Sequence, residues 1–187
     1  MMKNIFSKLL IIGIVSISMV NIGCKKEAGV EKNYFKIYIN KDILLKQDLR
    51  YCGILNLGAS LNHDNTFRHE LLISSLPISS NTSFKALESD GDYISIIYYS
   101  SSDSELLPGE YTFDAFGSQD DFTINHCLVF CQAPGDYSSG VMEVTKSGIN
   151  YIINLEFYDS VVNIELITSS LYGNYSGVIQ NFSVGKK

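Results

Sequence analysis

The strictest constraint on this chain is a two-residue alternation of apolar and polar side chains that recurs between residues 139 and 182. In residues 151–158, Ile153, Leu155 and Phe157 share one parity while Asn154 and Glu156 hold the other. Successive Cβ atoms of a strand point to opposite faces, so this is the pattern of a strand with one face buried. Val141, Glu143 and Thr145 alternate against Met142, Val144 and Lys146. Lys146-Ser147-Gly148 then supplies a reversal in which glycine takes positive φ without strain. Asp159-Ser160 turns the chain into a run at 161–168, and Tyr172-Gly173-Asn174-Tyr175-Ser176-Gly177-Val178 opens another. This spacing predicts a C-terminal meander of four antiparallel strands.

The same reading extends upstream. Residues 34–39 alternate Phe35, Ile37 and Ile39 against Lys36, Tyr38 and Asn40. Residues 51–61 and 67–76 are β-type runs joined by Asn62-His63-Asp64-Asn65, a set of strong turn formers, and are expected to form a hairpin with irregularities at Gly53 and Gly58. Residues 79–89 read as a polar loop, and residues 93–100, 110–113 and 122–131 as further strands. No stretch keeps a 3.6-residue period over ten positions, and the nearest approach to a helix is residues 41–49. The fold class expected is all-β, an antiparallel β-sandwich or a lipocalin-like barrel.

Targeting is written at the N-terminus. Lys3 and Lys8 precede an apolar run over residues 9–20, about a dozen residues and too short for a stable bilayer span of about 20. Residues 1–23 read as a secretory signal peptide, and Gly23-Cys24 at its end resembles the lipobox of bacterial lipoproteins, in which the cysteine is acylated. Residues 24–33 then form a charged tether, and residues 34–187 a single β-domain. The whole chain carries a formal charge of −6; only Lys3 and Lys8 leave with the peptide, so the mature domain is more acidic still. Such a surface argues against nucleic acid as a partner and assigns membrane attachment to lipid at Cys24. The location expected is the outer membrane or cell surface.

After processing, Cys52, Cys127 and Cys131 remain. Cys127 and Cys131 lie in one strand-like run, where four residues span about 13 Å, too far for a disulfide. Cys52 can pair with either of them; equally, all three fit as small buried apolar residues.

Leu107-Pro108-Gly109-Glu110-Tyr111-Thr112-Phe113, the Gly140 to Tyr151 run and Tyr172-x-x-Tyr175-x-Gly177 together resemble small Bacteroidetes lipoproteins of uncharacterised function. The resemblance implies a β-sandwich or lipocalin-like barrel and no catalytic residues.

Motifs for chemistry are sparse. His69-Glu70 begins like a zinc-protease helix, but Ile73 stands where the second histidine is needed. Alternation sends His126 to the face opposite Cys127 and Cys131, so no metal or cofactor is expected. Asp90, Asp92, Asp103 and Glu105 bracket one strand and would form a carboxylate pair or cation site if they met at one end of the sheet. Tryptophan is missing and tyrosine abundant, with 12 copies. Of these, Tyr93, Tyr98, Tyr99 and Tyr151 are candidates to line a groove for a glycan or peptide. Asp159-Ser160-Val161 resembles a Bacteroidetes O-glycosylation acceptor at Ser160. The leading expectation is a non-enzymatic, lipid-anchored binding or structural module whose partners are glycans, peptides or other envelope proteins. A carboxylate-based, glycosidase-like hydrolase and a pilus-like adhesin subunit are the alternatives.

Overall fold

The computed structural model describes residues 33–39, 42–78, 91–114, 117–131, 135–159 and 169–183. Among them the fold is all-β, with strands β1 (Tyr34–Ile39), β2 (Asp42–Asp48), β3 (Tyr51–Ala59), β4 (Phe67–Ser74), β5 (Tyr93–Ser100), β6 (Gly109–Phe113), β7 (Thr123–Phe130), β8 (Gly135–Tyr137), β9 (Ser139–Ser147), β10 (Asn150–Tyr158), β11 (Ser169–Val178) and β12 (Gln180–Ser183). Hydrogen bonding joins them into one curled sheet in the order β12, β3, β4, β5, β7, β6, β9, β10, β11, β1, β2, with β8 on β7.

Alternation in sequence becomes alternation in burial. Along β10, Tyr151, Ile153, Leu155 and Phe157 are buried, and every residue between them is exposed. The inner face of the sheet gathers Phe35, Ile37, Ile54, Leu71, Ile73, Ile94, Ile96, Val144, Ile153 and Leu171 into one core. A smaller cluster of Leu72, Ile78 and Tyr93, with Tyr51, Phe130 and Phe182 beside it, packs separately.

Four expectations are corrected. The sheet is mixed rather than antiparallel throughout, because β6 runs parallel to β7 and β12 parallel to β3. Parity fixes which way side chains point and says nothing of a strand's neighbour or direction. The expected four-strand meander is also not what is seen: β10 pairs directly with β11, Phe157 facing Leu171, so no third strand lies between them. Residues 161–168, where that strand was placed, lie outside the described residues, as do residues 79–90. The segment nearest to a helix, residues 41–49, is strand β2 instead. It pairs with β1, skipping Leu44 as a bulge, and leaves Ile43 58% and Leu44 52% exposed, so its apolar residues serve edge pairing rather than a helical core face. No disulfide joins Cys52, Cys127 and Cys131. Cys52 in β3 and Cys127 in β7 are separated by β4 and β5, roughly 14 Å along the sheet at the usual strand spacing, beyond the reach of a disulfide.

The hairpin of β3 and β4 forms as expected, and both glycines in β3 have a use. At Gly58 the register slips and φ is +106°, a conformation that suits glycine. At Gly53 a Cβ would collide with the Phe182 ring of β12. Gly53 therefore lets the last strand dock on β3. Asn33, just before β1, ties its neighbours together: its carbonyl accepts from Leu49 N (2.6 Å) and its Oδ1 from Ser176 N of β11 (2.5 Å).

Candidate functional site

The inner face is apolar along most of its length and turns polar at one end. Asn56 and His69 share the inward parity of Ile54 and Leu71, and the β3–β4 register sets them opposite one another. His69 in turn pairs with Tyr98 across β4 and β5. The segment after β5, residues 101–107, closes over this end and is pinned at several points. Leu106 is fully buried in the core, Ser101 N donates to Asp121 Oδ1 (2.9 Å), and Lys146 Nζ donates to Glu105 Oε2 (2.7 Å). Asn56 Nδ2 donates to the Asp103 carbonyl, while Asn56 Oδ1 accepts from Gly58 N (2.7 Å) and so fixes the amide's orientation.

Between this segment, β3, β4 and β12 lies a cavity of about 230 Å³ lined by Ile54, Asn56, His69, Asp103, Ser104, Asn181 and Phe182. His69 is its most informative wall. Its Nε2 lies 2.8 Å from the Ser102 carbonyl oxygen, which can only accept, so Nε2 carries the hydrogen and Nδ1 presents a lone pair. Nδ1 is buried and has no hydrogen-bond partner among the described residues. Burial pulls the His69 pKa below its ordinary value, with the Ser102 bond and the nearby Asp103 charge acting against that. The ring is therefore neutral near pH 7. Buried polar atoms without partners are uncommon in native proteins and ask for an explanation.

The four tyrosines singled out from the sequence do not share a groove. All are buried, Tyr93 and Tyr98 completely. Strand alternation sends Tyr93 and Tyr99 to the face opposite Tyr98, and Tyr151 lies in the core with Tyr98. The tyrosines that meet on the outer face are others: Tyr172 packs edge-on against Tyr38 (5.4 Å between centroids) and Tyr158 (6.3 Å), and Tyr158 Oη donates to Glu156 Oε1. Asn174 Nδ2 donates to Asn154 Oδ1 (2.6 Å) beside them.

The carboxylates expected to converge divide between the two ends of β5. Asp92 precedes β5 and Asp103 and Glu105 follow it, so eight strand residues, roughly 26 Å, separate them; Asp90 lies outside the described residues. Cys127 is fully buried and His126 lies half-exposed with its Nε2 3.2 Å from Asp136 Oδ1, in keeping with opposite faces. Cys24 and Ser160 lie outside the described residues.

The sequence carried one overlooked signal for the cavity. Asn56 and His69 occupy core-parity positions where apolar residues are the rule, and a polar residue at such a position needs a partner or a purpose. That they stand opposite each other depends on the β3–β4 register, and the contributions of Asp103 and Asn181 depend on long-range pairing that parity does not encode. Comparisons with protein-family models, with curated proteins and with solved structures found no match.

Proposed function

We propose that this chain is an envelope binding module, held to the outer membrane or cell surface by lipid at Cys24, that takes a small polar molecule into the end cavity beside His69. The observation that carries the reading is a cavity of about 230 Å³ in which the polar residues Asn56, His69, Asp103, Ser104 and Asn181 meet beside the apolar Ile54 and Phe182. An apolar floor with a few convergent polar groups is what a small-ligand site needs. The alternative of a carboxylate-based hydrolase requires two acids within about 10 Å. Of the acids that bracket β5, Asp92 stands at the opposite end from Asp103 and Glu105, so no pair forms across the strand. A second reading, stacking of a glycan on the outer face, has support from the Tyr38, Tyr158 and Tyr172 cluster with Glu156, since rings flanked by polar groups suit sugars. Ser160 is the proposed acceptor of an O-linked glycan, and a Ser160→Ala chain from the native host should lose a discrete mass.

Two measurements test the main reading. Cys24→Ser should move the protein from the detergent phase to the aqueous phase, and continued detergent partition would refute the anchor. The chain should also retain a small molecule from an extract of its host through dialysis, detected by mass spectrometry. Ser104→Trp, which fills the cavity from an exposed loop, should abolish retention; equal retention by the variant would place the ligand elsewhere.

A further inference from the structure

The outward positions of β10 and β11 are polar through their middle and turn apolar at one end. Asn154 and Glu156 in β10, and Asn174 and Ser176 in β11, alternate with the buried residues of their strands. Toward the β9–β10 turn the same parity carries Ile152 and Val178, 44% and 50% exposed, and the turn itself presents Ile149, 73% exposed. Ile152 pairs with Ser176 and Asn150 with Val178, so Ile152 and Val178 are diagonal neighbours within reach of each other on one face. Exposed aliphatic side chains gathered at one place mark an interaction surface.

Two observations choose the occupant. The first is where the tether ends. Asn33 accepts from Ser176 N, and Ser176 is the partner of Ile152, so the chain from Cys24 enters the domain two strand spacings, about 10 Å, from Ile152. The nine residues from Cys24 to Asn33 reach at most about 30 Å, so lipid at Cys24 would hold Asn33 within that distance of a bilayer. The second is charge. The chain has 20 acids, yet residues 144–155 and 166–187 contain none. Glu105, brought near by the segment after β5, is paired there with Lys146 Nζ (2.7 Å). These strands therefore set no unpaired acid of their own against headgroup phosphates, which repel carboxylates. Resting on the lipid anchor proposed above, and not on the cavity, we infer that Ile149, Ile152 and Val178 dip into the lipid surface to which Cys24 is tethered. The contact is shallow, at the boundary between headgroups and acyl chains, and it stands the domain on its β9–β10 tip.

The chain contains no tryptophan, so a single introduced indole reports alone. Ile149→Trp places it at the tip, in an exposed turn. Ile43→Trp is the control: Ile43 is 58% exposed and pairs with Tyr38, roughly 17 Å along β1 from Asn33. Each acylated full chain is reconstituted with vesicles of equal parts phosphatidylethanolamine and phosphatidylglycerol, with and without brominated phosphatidylcholine. Emission from Ile149→Trp should shift to the blue on vesicles and be quenched by bromine, and emission from Ile43→Trp should stay as it is in water. Adding Ile152→Asp and Val178→Asp to Ile149→Trp should remove both the shift and the quenching while the chain still sediments with the vesicles. Sedimentation reports the anchor and fluorescence the tip. A chain that sediments while Ile149→Trp emits as in water, or while Ile43→Trp is quenched as strongly, overturns the tip contact and leaves the anchor standing; so does quenching that survives the two aspartates. A chain that stays in solution overturns the anchor and the tip contact together.

Discussion

The imidazole of His69 lies over the ring of Tyr98, 5.1 Å between centroids with 20° between planes, and each carries a buried polar atom, Nδ1 and Oη, without a hydrogen-bond partner among the described residues. Deep burial also holds the Tyr98 hydroxyl well above its ordinary pKa, chiefly by desolvation. A phenol that gains no hydrogen bond on folding gives up its hydration for nothing. Tyr98→Phe should therefore keep stability or raise it by up to about 1 kcal/mol, measured by urea denaturation. A loss larger than that would mean that the hydroxyl is hydrogen-bonded in solution.

Acid should act through the neighbour. Burial favours the neutral form of His69, so its folded pKa lies below the 6.5 of an ordinary histidine. Below pH 6.5 the unfolded chain binds the extra proton first, and stability falls as pH drops through the lowered folded value. Glu70 has the opposite sign. Its pKa is raised by burial, against the Ser95 hydroxyl bond and the Arg68 charge, so its contribution is greatest in acid and is lost as pH climbs from about 4.5 through the raised value. His69→Phe should flatten the stability profile between pH 7 and pH 5, and Glu70→Gln should raise the urea midpoint at pH 7. An unchanged acid slope in the first variant, or a lower midpoint in the second, would contradict these assignments.

Two glycines with positive φ offer a graded test of backbone constraint. Gly140 has φ +125°, and a Cβ there would run into the Glu156 carbonyl and the Phe157 backbone. Gly148, at φ +62° in the turn between β9 and β10, has open space around the same position. Gly148→Ala should cost about 1 kcal/mol, the conformational penalty alone. Gly140→Ala adds a clash with backbone that cannot swing aside, and should cost roughly 3 kcal/mol or more. Equal costs would show that β9 and β10 are not as close at Gly140 as described.

Thiol chemistry gives a further check. Cys52 and Cys127 are buried and desolvation holds both thiols far above their ordinary range, so the folded chain should leave them unreactive toward an aqueous thiol reagent. Denaturant alone, without reductant, should make both available. A need for reductant would restore the disulfide.

What could be read in the sequence followed the physics of a pleated chain. The alternation of Ile153, Leu155 and Phe157 with Asn154 and Glu156 reports one residue's relation to the next, and β10 carries it through without a break. Local turn chemistry was equally plain at Gly148 and at residues 62–65. Asp42–Asp48 was less so, because an edge strand with exposed Ile43 and Leu44 gains its order from β1 rather than from its own pattern. The cavity was hidden for a related reason. Asn56, Asp103 and Asn181 are adjacent only because β12 runs parallel to β3 and the segment after β5 folds over both, and pairing at that sequence distance leaves no trace in composition or periodicity.

Gly53, bare enough to receive the Phe182 ring, has a consequence for how the molecule comes into being. β1 pairs with β11, and β3 with β12, so the early strands are completed by strands far along the chain. Loop closure over such separations is slow and must be met before its contacts stabilise anything. β3 is thus unmatched along one side until β12 is in place. A chain cut short before Gln180 would leave that side of β3 open to pairing with other chains.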